Sequence, residues 1–120
     1  MVHIDNIPHV NRYGFVHKNS PVAEPNYVAI GDQSVILVRE TKSIQGGDVI
    51  GSYIPFYFGP RSPMLYVVQH GYNGVKQYAP QDLVYCVVLL CDIVESQIDC
   101  VFTDGHALNV LTHTYSKESL

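Results

Sequence analysis

Three prolines fall within the twelve residues PFYFGPRSPMLY, Pro55 to Tyr66, and they restrict the chain more than any other stretch. Pro55 has no amide hydrogen to give to a ladder, so the aromatic run Tyr53 to Phe58 is expected as a strand at an edge or bulge, with one side open. Gly59-Pro60 ends that strand. Ser62 can cap a helix, and Pro63 at its first position gives up no needed hydrogen bond, so Met64 to His70 is the expected helix and Gly71 its stop. Arg61 is left on a short, stiff corner between the two, where it loses little freedom on meeting an anion. The alternative is that proline and glycine simply make the corner while Arg61 pairs with an acid.

The same punctuation cuts the rest of the chain into short pieces. Asp5 can accept from the next free amides, Ile7, Val10 and Tyr13 fall near helical spacing, and Gly14 can end the turn, which predicts a helix over 6–13. Phe15 to Val28 has no sustained periodicity and reads as loop. Gly31-Asp32 caps a second short helix through Val35, Ile36 and Val38, with Arg39 near its C-terminal end. Gly46-Gly47 and Tyr72-Asn73-Gly74 are turn chemistry. Leu83 to Leu90 is apolar and β-rich enough for a central strand, and Asp92 to Ile98 suggests a helical turn or two. Cys100 to Thr103 is a further short strand, and Ala107, Leu108, Leu111 and Tyr115 suggest a final helix. The class is α+β, in one domain or part of one.

Composition narrows the function classes. Only 15% of residues are charged, and the apolar run Val87 to Cys91 falls far short of the ~20 residues of a spanning helix, so no membrane role is expected. The N-terminus MVHIDN has neither a basic region nor an apolar stretch before a cleavage site, which points to a cytoplasmic protein. Cys86, Cys91 and Cys100 form an odd set without a C-x-x-C pair and are expected as buried free thiols. The net charge is −4, and residues 81–120 hold one Lys or Arg against six Asp or Glu. Such a chain cannot grip a phosphate backbone non-specifically, and any nucleic-acid contact must be local and shape-dependent.

Among motifs that carry chemistry, His3, His9, His17, His70, His106 and His113 include no i, i+4 pair, so no metal site is expected. Gly46-Gly47 lacks the Lys-Ser or Lys-Thr of a phosphate loop, and no serine elbow is present. In VFTDGHA, Val101 to Ala107, Asp104-Gly105 makes a sharp exit from a strand and His106 stands near a helix start, where backbone amides favour negative charge. A plain core or surface histidine is the alternative.

HIDNIPHVNRYGF at 3–15, NYVAIG at 26–31, Arg39, YIPFYFGPRSPMLY at 53–66, NGV at 73–75 and VFTDGHA together resemble, in order and rough spacing, the DarT family of DNA ADP-ribosyltransferase toxins. The resemblance covers nearly the whole chain. It implies an ADP-ribosyltransferase-like split mixed β-sheet with short helices, and transfer of ADP-ribose from NAD to thymine in single-stranded DNA. It also implies a DarG-type macrodomain antitoxin as partner. Carried over by motif, the loop from Gly14 through Phe15 to Ser20 lies against NAD, with His3 and Asn6 near the nicotinamide end. Arg39 is the catalytic arginine, and His106 is an active-site residue near the target base. Tyr57, Arg61 and Met64 line the DNA side, where rings offer stacking faces to unpaired bases. Two family features are unmatched: a strand with His-x-Thr before the histidine matched by His3, and a glutamate-bearing strand after the VFTDGHA region. Neither Glu95 nor Glu118 lies in a matching motif. A partial domain is therefore expected, and a truncated, inactive fragment that only binds DNA or a partner is the alternative function.

Overall fold

The computed structural model describes residues 1–44 and 47–119; Gly46 of the expected Gly46-Gly47 turn lies outside them. By its internal contacts the chain divides into two compact units, Met1–Ile36 with Ile54–Cys86 and Leu37–Tyr53 with Val87–Leu120.

The first unit opens with β1, Val2–His3, which pairs antiparallel with β2, Leu83–Val84. A 3-10 turn at Ile4–Asn6 leads into α1, Ile7–Tyr13. The helix is where the spacing predicts it, but the cap differs. The Asp5 amide donates to His3 Nδ1 at 3.2 Å, so the residue expected to accept is the donor. Gly14 closes α1 at φ 74°, its amide donating to the Val10 carbonyl at 2.8 Å. Beneath α1, Asn6 is 1% exposed. Its Nδ2 donates to the Val28 carbonyl at 2.8 Å, and its Oδ1 accepts the Val28 amide at 2.9 Å. That pair of bonds fixes the end of the 15–28 loop, and the buried apolar side chains of this unit are Val2, Ile30 and Val68 among the described residues.

Val68 belongs to α3, Pro63–His70. As expected, the Ser62 hydroxyl caps it by accepting the Leu65 amide, and Gly71 stops it in the left-handed region at φ 66°, ψ 30°. Two expected strands do not form. Tyr53 to Phe58 makes no ladder: Pro55 breaks the donor row, and Phe56, Tyr57 and Phe58 stay exposed. Leu83 to Leu90 pairs only as far as Val84, because its partner β1 is two residues long. Beyond the ladder Val87 is 86% and Leu89 62% exposed, so this is no central strand.

α2, Gln33–Thr41, crosses the division between the units. It begins as predicted, with Asp32 Oδ1 accepting the Ser34 amide and hydroxyl. In the second unit Ser43 bridges Val49, and the Gly47 amide donates to the Ile44 carbonyl before a 3-10 turn at Ile50–Ser52. Gly51 is required there, since a Cβ would stand 3.1 Å from the Glu40 Cα and 3.2 Å from the Arg39 carbonyl oxygen. α4 is Leu90–Glu95, starting and ending earlier than expected. β3, Val101–Thr103, pairs antiparallel with β4, Thr114–Ser116.

The expected helix from Ala107 to Tyr115 does not form, and the helical structure after it is a single 3-10 turn at Lys117–Ser119 among the described residues. The Asn109 side chain accepts the Leu111 amide, the Thr112 hydroxyl donates to the His106 carbonyl, and the Asp104 carboxylate accepts the His113 amide. Side chains that bond the local backbone compete with a helix ladder, and here they turn the chain back as a hairpin. The thiols are free as expected, but Cys91 is exposed and Cys86 and Cys100 are only half-buried, which corrects the reading of all three as core. The described residues thus form an α+β fold of short helices and two small antiparallel sheets, with no helix long and apolar enough to cross a membrane.

Replacing Asn6 with alanine removes two bonds and strands the Val28 amide and carbonyl, so Asn6→Ala is expected to cost about 2 kcal/mol; a urea midpoint equal to that of the parent chain would contradict this. At Gly105, a Cβ would lie 2.8 Å from Thr112 Oγ1, the atom that donates to the His106 carbonyl. Gly105→Ala should therefore lower the melting temperature in the parent chain but add little once Thr112→Ala has removed that hydroxyl, a non-additivity that thermal melts of the three variants measure.

Candidate functional site

The first unit holds eight of the residues singled out by motif. His3 is nearly buried at 8% exposure, its ring edge-on to Tyr78 at 5.0 Å. With Nδ1 accepting from the Asp5 amide, the ring's proton belongs on Nε2. Both ends of the Asn6 amide are taken by Val28, so this residue positions the Tyr27 to Ile30 segment. Gly14 has nothing within 4 Å of the place a Cβ would occupy, so a ligand can approach its backbone closely. Phe15 meets Phe56 edge-on at 5.4 Å, which joins the loop after α1 to the aromatic segment. Ser20 organises the rest of that loop: its hydroxyl accepts the Val22 amide, and its amide and carbonyl bond His17 and Ala23. The His9 ring adds a bond from α1 to the Val22 carbonyl at 2.8 Å.

The corner before α3 is built as the prolines require. The Tyr85 hydroxyl donates to the Pro60 carbonyl at 2.6 Å, and the Ser62 cap holds the other side. Arg61 between them is exposed and has no hydrogen bond or ion pair among the described residues, so the paired-acid alternative is not realised. Tyr57 is 48% exposed. Met64 is half-buried, its sulfur 4.0 Å from the position a Cβ would take on Gly31.

The second unit holds Arg39 and His106. From the last turn of α2, Arg39 Nη2 donates to the Ile50 carbonyl at 3.3 Å and to the Tyr53 carbonyl at 2.9 Å. Both hydrogens of that nitrogen are spent on orientation, and Nη1 and Nε carry the other three. His106 is exposed, and its Nδ1 accepts the Leu108 amide at 3.2 Å, which places its proton on Nε2. Lys42 reaches the same loop, its ammonium donating to the Leu108 carbonyl.

Sequence reasoning missed one cluster in this unit. Asp104 Oδ2 lies 3.0 Å from His113 Nδ1 and 3.5 Å from the Tyr115 hydroxyl. The His113 amide and then its imidazole hold the Asp104 carboxyl below the usual carboxylate range. Only the hairpin register brings these residues together, and nothing in the spacing of Asp104 and His113 announces it. Among the described residues no three His, Cys, Asp or Glu side chains gather closely enough to hold a metal ion.

Comparison with known proteins bears on this arrangement. A family profile described as "ssDNA thymidine ADP-ribosyltransferase, DarT" matches residues 1–120. A DNA ADP-ribosyl transferase of Escherichia coli O127:H6 is 34% identical over 118 residues, which are 97% of this chain and 54% of that protein. One from a Thermus species is 32% identical over 119 residues, 94% of this chain and 53% of the relative. A DNA ADP-ribosyl transferase-DNA ADP-ribosyl glycohydrolase fusion protein of Thermosipho africanus is 29% identical over 123 residues, covering 100% of this chain and 29% of the fusion. The chain thus spans about half the length of the first two relatives. No solved structure matches it. With its motifs in order and the family profile matching residues 1–120, the chain belongs to the DarT family.

Proposed function

We propose that residues 1–120 are part of an NAD-dependent enzyme that transfers ADP-ribose to thymine bases of single-stranded DNA, the toxin of a toxin–antitoxin pair working in the cytoplasm. The observation that carries this is Arg61, exposed on a corner clamped from both sides and with no hydrogen bond or ion pair among the described residues, in a chain that the family profile matches over residues 1–120. On the proposed NAD side, Gly14 leaves open space beside its backbone, and the loop to Ser20 is held by its own turn bonds.

The chemistry asks two things of the protein. Breaking the bond between ribose and nicotinamide develops positive charge on the ribose as nicotinamide leaves, and the thymine that attacks must lose a proton. Arg39, already oriented through Nη2, offers its other donors to the charge that develops at the reacting centre. His106 offers Nε2–H to an acceptor atom of the target base, and the proton that thymine loses passes to solvent water. His3, with its remaining donor on Nε2, serves the nicotinamide end, and Asn6 serves the same region through the backbone it holds. Tyr57, Arg61 and Met64 form the DNA side. The overall fold is proposed to be the split mixed sheet of ADP-ribosyltransferases. These residues are read as a partial domain, with the first NAD-contacting strand and the glutamate-bearing region outside them, a reading supported by the half-length coverage of relatives. A glycohydrolase joined to a transferase in the Thermosipho africanus protein supports a DarG-type macrodomain antitoxin as partner. The same coverage favours the second reading, a chain that binds DNA but does not transfer by itself.

Two experiments test this. Labelled NAD and a thymine-containing oligonucleotide should give little or no product with residues 1–120 alone; robust labelling would place the missing acid among Glu95 and Glu118 after all. In a protein that carries these residues and does transfer, Arg39→Ala and His106→Ala should each lower the rate by at least about 100-fold with little change in melting temperature, since both act on charge at the reacting centre; normal transfer by either removes it from the mechanism.

The acceptor face is checked by binding. Arg61→Ala should weaken affinity for single-stranded DNA and flatten its dependence on log salt by about 0.7, the contribution of one phosphate contact. Tyr57→Ala should weaken it without changing that slope. An Arg61→Ala chain that loses NAD and keeps DNA would reverse the two faces.

A further inference from the structure

α3 continues from the Arg61 corner with Tyr66 and His70 four residues apart, and thus on one face of the helix. Their ring centres are 4.4 Å apart, and Tyr66 is 5.5 Å from Tyr72. His70 and Tyr72 lie parallel within 4°, at 5.3 Å. Three local features hold this cluster. Gly71 and Asn73, at φ 66° and 57°, turn the chain so that Tyr72 comes back against His70. The His70 ring is pinned by Nδ1, which donates to the Tyr66 carbonyl at 2.8 Å.

The cluster is not core. Tyr66 is 57% and Tyr72 48% exposed, whereas α3 is anchored by the fully buried Val68. Ordered rings with free outer faces are what a stacking partner requires. From Val49 to Gln81 the chain carries no Asp or Glu, while Arg61 and Lys76 supply positive charge, in a protein of net charge −4; an acid beside this stretch is Asp32, whose carboxylate bonds the Asn73 side chain. Beside His70 lies a hollow of about 590 Å³, bordered by Gln69, Gln77 and Tyr78. Gln77 Nε2 donates to the Gln69 carbonyl at 2.6 Å, which orients its Oε1 as a fixed acceptor, and Lys76 sits over the Tyr78 ring at 4.9 Å.

We propose that Tyr66, His70 and Tyr72 are a second stacking platform, which takes an unpaired nucleobase flanking the acceptor thymine while the hollow beside His70 receives the adjoining nucleotide. This rests on the single-stranded DNA reading above. The eight residues of α3 span about 12 Å, the rise of roughly three or four stacked nucleotides, so the platform reads a base at that remove from the Arg61 corner.

The test is fluorescence anisotropy of the 120-residue chain with a labelled twelve-nucleotide strand containing one thymine, and with strands made abasic three or four positions to either side of it. Tyr66→Leu and Tyr72→Leu should each weaken binding about fivefold or more, the loss of one stacked base, with the salt dependence unchanged; Tyr66→Phe should bind as the parent does. One abasic position should weaken the parent and have no further effect on Tyr66→Leu. If both leucine variants bind as tightly as the parent while Arg61→Ala binds more weakly, the platform is wrong and the corner stands. If the parent chain does not bind the strand, both fail. If Tyr66→Phe loses as much as Tyr66→Leu, the effect is not stacking and the proposal is overturned.

Discussion

One buried carboxamide holds the first unit in register. Asn6 satisfies both polar atoms of the Val28 peptide across 22 residues of sequence, and so ties the entry of α1 to the segment that leads into α2. Between these points α1 is followed by a loop whose turn bonds are joined by the His9 ring on the Val22 carbonyl, and a loop of that length would otherwise sample many arrangements at a large entropic cost. The clamp also explains how a loop without apolar periodicity comes to lie in one place, with Phe15 close enough to meet Phe56. Because each bond is to backbone, the role depends on having one donor and one acceptor on the same short side chain.

What could be read from the sequence follows from how local the determining physics is. α1, α2 and α3 were legible because their starts and stops are written in residues next to them: Asp32 before α2, Ser62 and Pro63 at α3, Gly14 and Gly71 at the ends. Of the strands only Cys100 to Thr103 was legible, as β3 over Val101–Thr103; Tyr53 to Phe58 and most of Leu83 to Leu90 do not pair. Whether Leu83 to Leu90 enters a ladder depends on the length of β1, more than 75 residues away, and no local pattern reports that. Ala107 to Tyr115 has a helical spacing of apolar residues, but Asn109, Thr112 and Asp104 bind backbone more strongly than that weak pattern binds a core. In the site, the corner of Arg61 was visible from proline and glycine alone. The clamp at Asn6 and the pair of Asp104 with His113 were hidden, since each depends on a partner brought in by tertiary structure.

The distribution of charge and rings separates two ways of holding a nucleic acid. A basic surface gains affinity from every phosphate and loses it steeply with salt. This chain has few cations to spend, and places two of them, Arg61 and Lys76, in a long stretch free of acids and rich in exposed tyrosine and phenylalanine. Stacking is indifferent to ionic strength and fails on duplex DNA, whose bases already stack on one another. The proposed selectivity for unpaired DNA is therefore compatible with an acidic protein.

The two carbonyls that hold Arg39 bear on which substitutions the position could accept over evolutionary time. A lysine there would keep the charge, and its ammonium could still reach one carbonyl, but it has no planar fork to point elsewhere while doing so. Glutamine would keep donors and lose the cation. The Ile50 and Tyr53 carbonyls thus make the guanidinium difficult to replace even by its nearest chemical neighbours. Drift in residues 50–53 is constrained as well, although only their backbone touches the arginine: a change that moves that turn would misdirect a side chain it never contacts directly.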